Sequence, residues 1–217
     1  LAAAGELEVW RERHAAWCLA LAERAEPHLP GPQGAQWLQR LAGEHDDLRG
    51  ALEWCAAAPA RATDGLRLAA ALGRFWCLRG HLGEGKGWLQ TFLAAVPADA
   101  VPQTEVSALN TLARIAFLES NFASARVLSL RSLELARGLE YDEGVETAQI
   151  SLGAALWELG DYAAARRELE EIVRYTRALG HLAPLARGLN SLGLVAQQQG
   201  DGRVADACFE ESLSINR

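Results

Sequence analysis

Four consecutive polar residues, Glu44-His45-Asp46-Asp47, resemble a chemical site more than any other segment of this sequence. Carboxylates beside an imidazole bind metal ions or transfer protons in many enzymes. The segment is predicted to be helical, however, and only helical residues three or four positions apart share a face. Glu44 therefore pairs with Asp47 or Leu48, and no HExxH-type spacing supplies further ligands. Helix capping and hydrogen bonds between helices are the favoured interpretation, and no metal site is predicted.

A glycine-rich segment, GHLGEGKGW at 80–88, contains Lys86 and so suggests a phosphate-binding loop. Its spacing differs from GxxxxGK[ST], and it falls at a predicted turn between helices. The other histidines are isolated, and no Ser or Cys stands in an activation motif such as GxSxG. We therefore predict no catalytic residues, no cofactor and no enzymatic activity. An enzyme would require a converging polar pocket that the sequence does not show.

Composition excludes several classes of protein. Half of the 217 residues are hydrophobic and 23% are charged, which is typical of an ordered globular protein. A formal net charge of −7 gives no basic surface for direct binding to nucleic acid. No apolar run approaches the roughly 18 residues of a membrane span. Four dispersed cysteines without a CxxC motif favour free thiols and a cytoplasmic location. The absence of Met leads us to expect a fragment of a longer chain.

Leucine and small residues recur in this sequence at a constant step of 40 residues. Each copy has a Leu followed by Gly or Ala, and further small residues eight and thirteen positions later. In the copy at 147–176, helical apolar spacing flanks Gly160-Asp161, where Gly suits a helix end and Asp a helix start. Each copy is therefore predicted to be two antiparallel helices, closest at Gly153 and Ala165. The recurring leucines are Leu72, Leu112, Leu152 and Leu192.

This pattern resembles the tetratricopeptide repeat (TPR). The match consists of Leu at the seventh position, small residues at the eighth and twentieth, and Gly-Asp-Tyr at the turn. A period of 40 exceeds the usual one, which implies longer helices or longer links. Individual copies depart from the pattern at His81, Ser120 and Gly202. The resemblance implies an all-α fold, a right-handed α-α superhelix of about ten helices.

The predicted organisation is an N-terminal helical hairpin at 1–62 followed by four repeats at 63–217, in one continuous solenoid. The hairpin helices are expected at roughly 4–28 and 33–58. No polar capping helix follows the last repeat, and an uncapped solenoid exposes apolar surface. More chain, a partner or a second copy is therefore expected to cover the C-terminal end.

A further resemblance covers roughly residues 11–97. This region is similar to the segment that follows the nucleotide-binding and winged-helix modules in bacterial signal-transduction ATPases of the STAND class, which include LuxR-type transcriptional regulators. The resemblance implies a sensor or arm region that binds an inducer or protein and controls an ATPase. It also implies ATPase and DNA-binding domains elsewhere in a parent chain. The matching residues are Arg13-His14, Glu44 to Arg49, Ala51 to Trp54, Phe75-Trp76 and Arg79-Gly80.

In tetratricopeptide arrays the first helix of each pair lines the concave face, so the resemblance implies a binding groove. Asn amides suit a peptide backbone, Arg suits a carboxylate, and aromatic rings offer flat contact area. The alternative is that these side chains tie neighbouring helices together. The implied groove residues are Arg74, Asn110, Arg114, Phe117, Thr147, Ile150, Trp157, Glu158, Arg187, Asn190 and Gln197.

Six of the seven tryptophans precede residue 90 and predict an aromatic core rather than a cofactor site.

Two hypotheses for function follow from the whole sequence. The first is the sensor region of an ATPase-type regulator, which binds a peptide, a protein or a small inducer. The second is a free-standing scaffold that binds extended peptides in its groove.

Overall fold

The computed structural model describes the backbone of residues 2–97 and 100–217 and the side chains of residues 6–97 and 100–217. All regular structure in these ranges is helical, which confirms the predicted all-α class. Two compact units divide between Thr111 and Leu112. The α-helices are α1 Ala2–Ala25, α2 Gly34–Gly43, α3 His45–Ala56, α4 Ala62–Arg79, α5 Leu82–Ala95, α6 Pro102–Leu118, α7 Phe122–Gly138, α8 Asp142–Glu158, α9 Tyr162–Leu179, α10 Leu182–Gln198 and α11 Gly202–Ile215.

Left-handed backbone conformations recur every twenty residues in the second unit. They close the turns within helix pairs and also the turns between pairs. Since α7 to α10 have 17 or 18 residues each, the long period comes from long helices and not from long links. The left-handed residues of this series are Ser120, Glu140, Gly160, Gly180 and Gly200.

Short polar side chains cap the second helix of three pairs. The Asp161 carboxylate accepts a hydrogen bond from the Ala164 amide at 3.1 Å, as predicted. Asn121 and Asp201 act in the same way at the starts of α7 and α11. His81, which replaces the acidic residue before α5, makes no side-chain cap. Three of the four copies therefore stabilise this helix start locally.

Glycines in the first helices allow close contact with larger side chains. A Cβ atom on Gly153 would lie 2.5 Å from Leu169 Cγ, and one on Gly193 would lie 2.6 Å from Phe209 Cε1. Ala165 is completely buried. The predicted close approach is confirmed, and Leu169 is the side chain that occupies the space over Gly153.

The first unit differs from its predicted form in two ways. The helix predicted at 33–58 is interrupted at Glu44, so that α2 and α3 replace it. The aromatic-core prediction is wrong for Trp10 and Trp17, which are 67% and 40% exposed. Trp76, in contrast, is completely buried. The division into a hairpin and one continuous solenoid stays a prediction.

The four cysteines are free thiols, and Cys18, Cys55 and Cys208 are buried. Burial raises the pKa of the Cys55 thiol to about 11, with a further contribution from Asp64. Over the ranges described, no helix combines the length and the apolar character that crossing a membrane requires.

Candidate ligand-binding surface

The polar segment that begins at Glu44 connects helices. His45 Nε2 donates to Glu84 at 3.1 Å, and Arg49 donates two hydrogen bonds to the same carboxylate at 3.0 and 2.7 Å. Desolvation lowers the pKa of His45, and Arg49 and His81 lower it further, against the effect of Glu84. Burial alone would raise the pKa of Glu84, but its bonds to Arg49 and His45 outweigh burial and lower it. The segment thus joins α3 to α5, and the predicted inter-helix hydrogen bonds are confirmed. The predicted capping is not observed, since Glu44 at the start of α3 makes no side-chain cap.

A cysteine, a histidine and an aspartate come together in the first unit, although they are distant in sequence. Cys18 Sγ lies 3.7 Å from His14 Nε2, and the same ring nitrogen lies 3.2 Å from Asp47 Oδ1. A general base needs one ring nitrogen for the nucleophile and the other for the carboxylate. Burial raises the pKa of the Cys18 thiol to about 12, with a further contribution from Asp47, so the thiol stays protonated. This arrangement does not activate a nucleophile.

The glycine-rich segment at 80–88 includes the turn before α5 and the first half of that helix. A Cβ atom on Gly85 would lie 2.7 Å from Trp76 Cε3. This glycine therefore serves close packing, as its place in the repeat predicts. No group of three or more potential metal-binding side chains occurs where side chains are described.

In the second unit, one face of α8 and one face of α10 remain open to solvent. On α8 the open face includes Thr147 and Trp157, which are partly exposed, and Glu158, which is exposed. On α10 it includes the exposed residues Arg187 and Asn190. Thr147 and Glu158 are eleven residues apart on α8, which is about three helical turns. Arg187 and Asn190 are three residues apart on α10, so each pair shares a face. Buried Leu, Ala and Gly residues lie between these positions on both helices. The two faces form the candidate surface.

The Arg187 guanidinium is the most distinctive group of this surface. Desolvation by the surrounding protein lowers its pKa, although the residue as a whole remains exposed. Glu146 and Glu143 oppose this effect, whereas the positive charge of Arg114 adds to it. Arg114 and Arg187 therefore lie close enough to repel each other, although they belong to α6 and α10. Neither arginine makes an ion pair or a hydrogen bond within the described part of the chain.

The carboxylate with the largest electrostatic effect on Arg187, that of Glu146, already has a hydrogen-bond partner. Glu146 is only 5% exposed, and its carboxylate accepts a hydrogen bond from His181 Nδ1 at 2.5 Å. In the same region the Tyr175 hydroxyl donates to Asp142 at 2.5 Å, which raises the pKa of Tyr175 to about 12. The carboxylate most able to neutralise Arg187 is thus held by a histidine instead.

Two aromatic residues of the predicted groove have mixed surroundings. Phe117 meets Phe122 edge-on at 5.3 Å between ring centroids and packs against Ala116, Ala125 and Ala155. Much of its ring is therefore structural. The Trp157 Nε1–H is buried without a hydrogen-bond partner among the residues described. A buried donor of this kind forms a hydrogen bond with any acceptor brought to it.

The predicted groove residues divide according to their burial. Asn110 and Ile150 are buried, with 8% and 9% of their surface exposed. Arg74 and Asn110 lie in the first unit, so they are not part of the surface on α8 and α10. Their role in binding stays a prediction, as does that of the whole set. The exposed members are Arg114, Glu158, Arg187, Asn190 and Gln197, and the partly exposed ones are Arg74, Phe117, Thr147 and Trp157.

Sequence reasoning did not select Glu146, although the repeat contains a signal for it. The residues at the same position of the other copies are Leu66, Val106 and Ala186, all apolar. Gln149, one helical turn later, likewise replaces an apolar residue and donates to Glu168 at 3.0 Å. A comparison of the copies for polar residues at core positions therefore identifies the buried polar groups of α8.

Comparison with known proteins agrees with the helical-repeat fold. Residues 104–178 match the tetratricopeptide repeat family model. No curated protein matches the sequence significantly.

Several solved structures have the same fold as this chain, at low sequence identity. BtubC (BKLC) from P. vanneervenii is 18% identical, with a TM-score of 0.66 over 95% of this chain and 91% of its own. A putative kinesin light chain from Podosopora anserina with nearly identical TPR-like repeats is 17% identical, with a TM-score of 0.67 over 93% and 95%. YrrB, a TPR protein described as having an unusual peptide-binding site, is 15% identical, with a TM-score of 0.55 over 83% of each chain. These relationships establish a TPR-like solenoid fold.

Proposed function

We propose that this chain is a binding module without chemistry of its own, and that it holds an extended segment of a protein or peptide on the open faces of α8 and α10. The observation that carries this proposal is the state of Arg187. A charged donor stands at the surface in a partly desolvated position, and no described residue pairs with it. Such a group binds a carboxylate more strongly than a fully hydrated arginine does, because part of its water is already lost.

The ligand chemistry follows from the groups around Arg187. Arg114 provides a second positive charge that acts on Arg187, so the two guanidinium groups together attract a carboxylate of the ligand. Asn190 on the same helix offers both a donor and an acceptor for a peptide backbone. The Trp157 indole adds apolar contact area. An acidic side chain or a chain terminus followed by an extended backbone fits these groups.

Binding to an array of synthetic peptides of varied charge, followed by calorimetric titration of the best sequences, tests this function. Arg187→Ala is expected to weaken binding by about tenfold, the effect of losing one charge-assisted contact. Arg167→Ala is the matched control, because Arg167 is exposed on α9 and has no described partner. Equal affinity for the parent chain and for the Arg114→Ala/Arg187→Ala double variant would contradict the proposed site.

We further propose that the module is the sensor or arm region of a cytoplasmic ATPase-type transcriptional regulator, and that it passes a binding event to ATPase and DNA-binding domains of its parent chain. The support is the STAND-class resemblance of residues 11–97. In the structure several of these residues pack the first unit: Phe75 and Trp76 are completely buried, and His14 bonds Asp47. The coding sequence upstream tests this role. A parent gene with neither a Walker motif nor a winged helix would exclude the regulator and leave the free-standing scaffold.

A further inference from the structure

Part of α1, from residue 7 to residue 17, carries an apolar stripe that the described residues leave exposed. Leu7, Trp10 and Trp17 are 51%, 67% and 40% exposed, and His14 lies between them on the same face. Their spacing of three, four and three residues is the a/d spacing of a coiled-coil seam. Exposed apolar side chains that adjoin one another in this way are typical of an interaction surface, whereas single ones are not.

The stripe continues a face that is already packed. Cys18, Leu21 and Ala25 lie on the same side of α1 and are completely buried within the first unit. The same face of α1 is thus buried from Cys18 onward and exposed before it. A second helix laid along residues 6–17 would extend the same packing.

The charges beside the stripe indicate that the second helix is α1 of another copy of the chain. Glu6 and Arg13 are seven residues apart, so they lie on the same flank, two turns from each other. Neither makes an ion pair or hydrogen bond within the described residues, whereas the nearby Glu8 is bound to Arg61 at 2.6 Å. A two-fold axis near residue 10 places Glu6 of one copy opposite Arg13 of the other, twice. The flank is therefore complementary to itself in an antiparallel pair.

The antiparallel direction also follows from the packing of α1. In a parallel pair, residues 18–25 of both copies would meet, but this part of the seam already faces its own core. An antiparallel pair centred near Trp10 uses the exposed stripe and leaves residues 18–25 of each copy in their own core. We propose that two copies of this chain associate through antiparallel packing of their α1 helices, with Leu7, Trp10 and His14 at the centre and Glu6–Arg13 ion pairs at the side.

Sedimentation velocity of the full chain across micromolar and higher concentrations tests the proposal. A concentration-dependent dimer is expected, and Trp10→Ser should raise its dissociation constant by at least about tenfold, as loss of a central interface tryptophan does. Thermal unfolding of Trp10→Ser should match the parent chain, since the side chain is mostly exposed. Leu213→Ser is the matched control, because Leu213 is an apolar side chain on α11 that is 58% exposed and lies outside the stripe.

Charge reversal tests the antiparallel geometry. Glu6→Arg and Arg13→Glu should each weaken the dimer, and the double variant Glu6→Arg/Arg13→Glu should restore it. Glu12→Arg changes the charge of α1 equally on the opposite face and should have little effect. A chain that stays monomeric at all concentrations overturns the proposal. So does a dimer that Leu213→Ser abolishes and Trp10→Ser leaves intact, or one whose charge variants are not restored in combination.

Discussion

The interactions that stabilise the first unit differ from those that stabilise the second. In the second unit, the same short pattern of turn, cap and small residue returns with each copy of the repeat. In the first unit, stability depends on particular pairs from distant parts of the chain, such as Arg49 with Glu84 and Arg61 with Glu8. The second unit therefore combines a repeated local pattern with inter-helix pairs such as His181 with Glu146, whereas α1 to α3 of the first unit lack the repeated pattern and depend on the pairs.

The comparison predicts that enlarging one small residue of the repeat has the largest effect. Gly153→Val is expected to lower the free energy of unfolding by about 2–3 kcal/mol, because the new side chain overlaps Leu169. Urea denaturation measures this change. Gly138→Ala in α7 is the control, since no atom lies within 4 Å of its added Cβ. An equal loss in both variants would show that close packing at Gly153 is not what the repeat requires.

The next largest effect is expected where one carboxylate joins two helices of the first unit. Glu84→Gln removes the charge that Arg49 and His45 share, and should cost about 1–2 kcal/mol in the same denaturation experiment. Glu53→Gln on α3 makes the same chemical change at an exposed position and is expected to cost almost nothing. If the two variants are equally stable, the contact between α3 and α5 does not contribute to the stability of the first unit.

His45 and Glu84 are expected to change the stability of the protein in different pH ranges. The pKa of His45 is lowered in the folded state, so below about 6.5 the unfolded chain binds more protons at this residue. Stability should therefore fall as the pH is lowered from 7 to 5. The lowered pKa of Glu84 affects the stability only below about pH 4.5. The expected loss of stability between pH 7 and 5 is smaller than that caused by Glu84→Gln, because the hydrogen bonds from Arg49 to Glu84 persist.

The change His45→Gln removes the titrating group and should flatten the profile between pH 7 and 5. Thermal melts in buffers of matched ionic strength provide the measurement. An unchanged slope in this variant would mean that other groups cause the pH dependence.

The smallest effect is expected at a turn. Ser120 is left-handed, with a φ of 58°, at the position where the other pairs have Gly. Ser120→Gly should stabilise the chain by about 0.5–1 kcal/mol, and Gly160→Ser should destabilise it by a similar amount. A stability assay precise enough for both variants checks whether the two turns are equivalent. Changes of the same sign in both would show that they are not.

Much of the second unit was predictable from the sequence because its signals are local. The 40-residue step, the small residue over Leu169 and the Asp161 cap concern residues that are near one another in the chain. The first unit was harder to predict. The interruption at Glu44 and the exposure of Trp10 and Trp17 depend on which helices lie beside them, and periodicity alone does not contain that information.

The candidate surface was predictable only in part. Positions on the first helices of the pairs were selected by analogy to tetratricopeptide arrays, and most of them are accessible in the structure. Burial removes Asn110 and Ile150 from the solvent, and the occupied state of Glu146 became apparent only from its bond to His181. Comparison of the copies would have identified Glu146 as a polar residue at an apolar position, but not its partner.

By itself the sequence determined the all-α class, the four-fold recurrence and the chemistry of the turns, since helical spacing, capping and left-handed glycine are properties of short segments. Only the tertiary structure decided that the long period lies in the helices and that the α1 tryptophans face solvent. It also decided that His181 binds Glu146, while Arg187 has no hydrogen-bond or ion-pair partner among the residues described. These outcomes depend on which side chains meet across helices, and that depends on packing rather than on spacing along the chain.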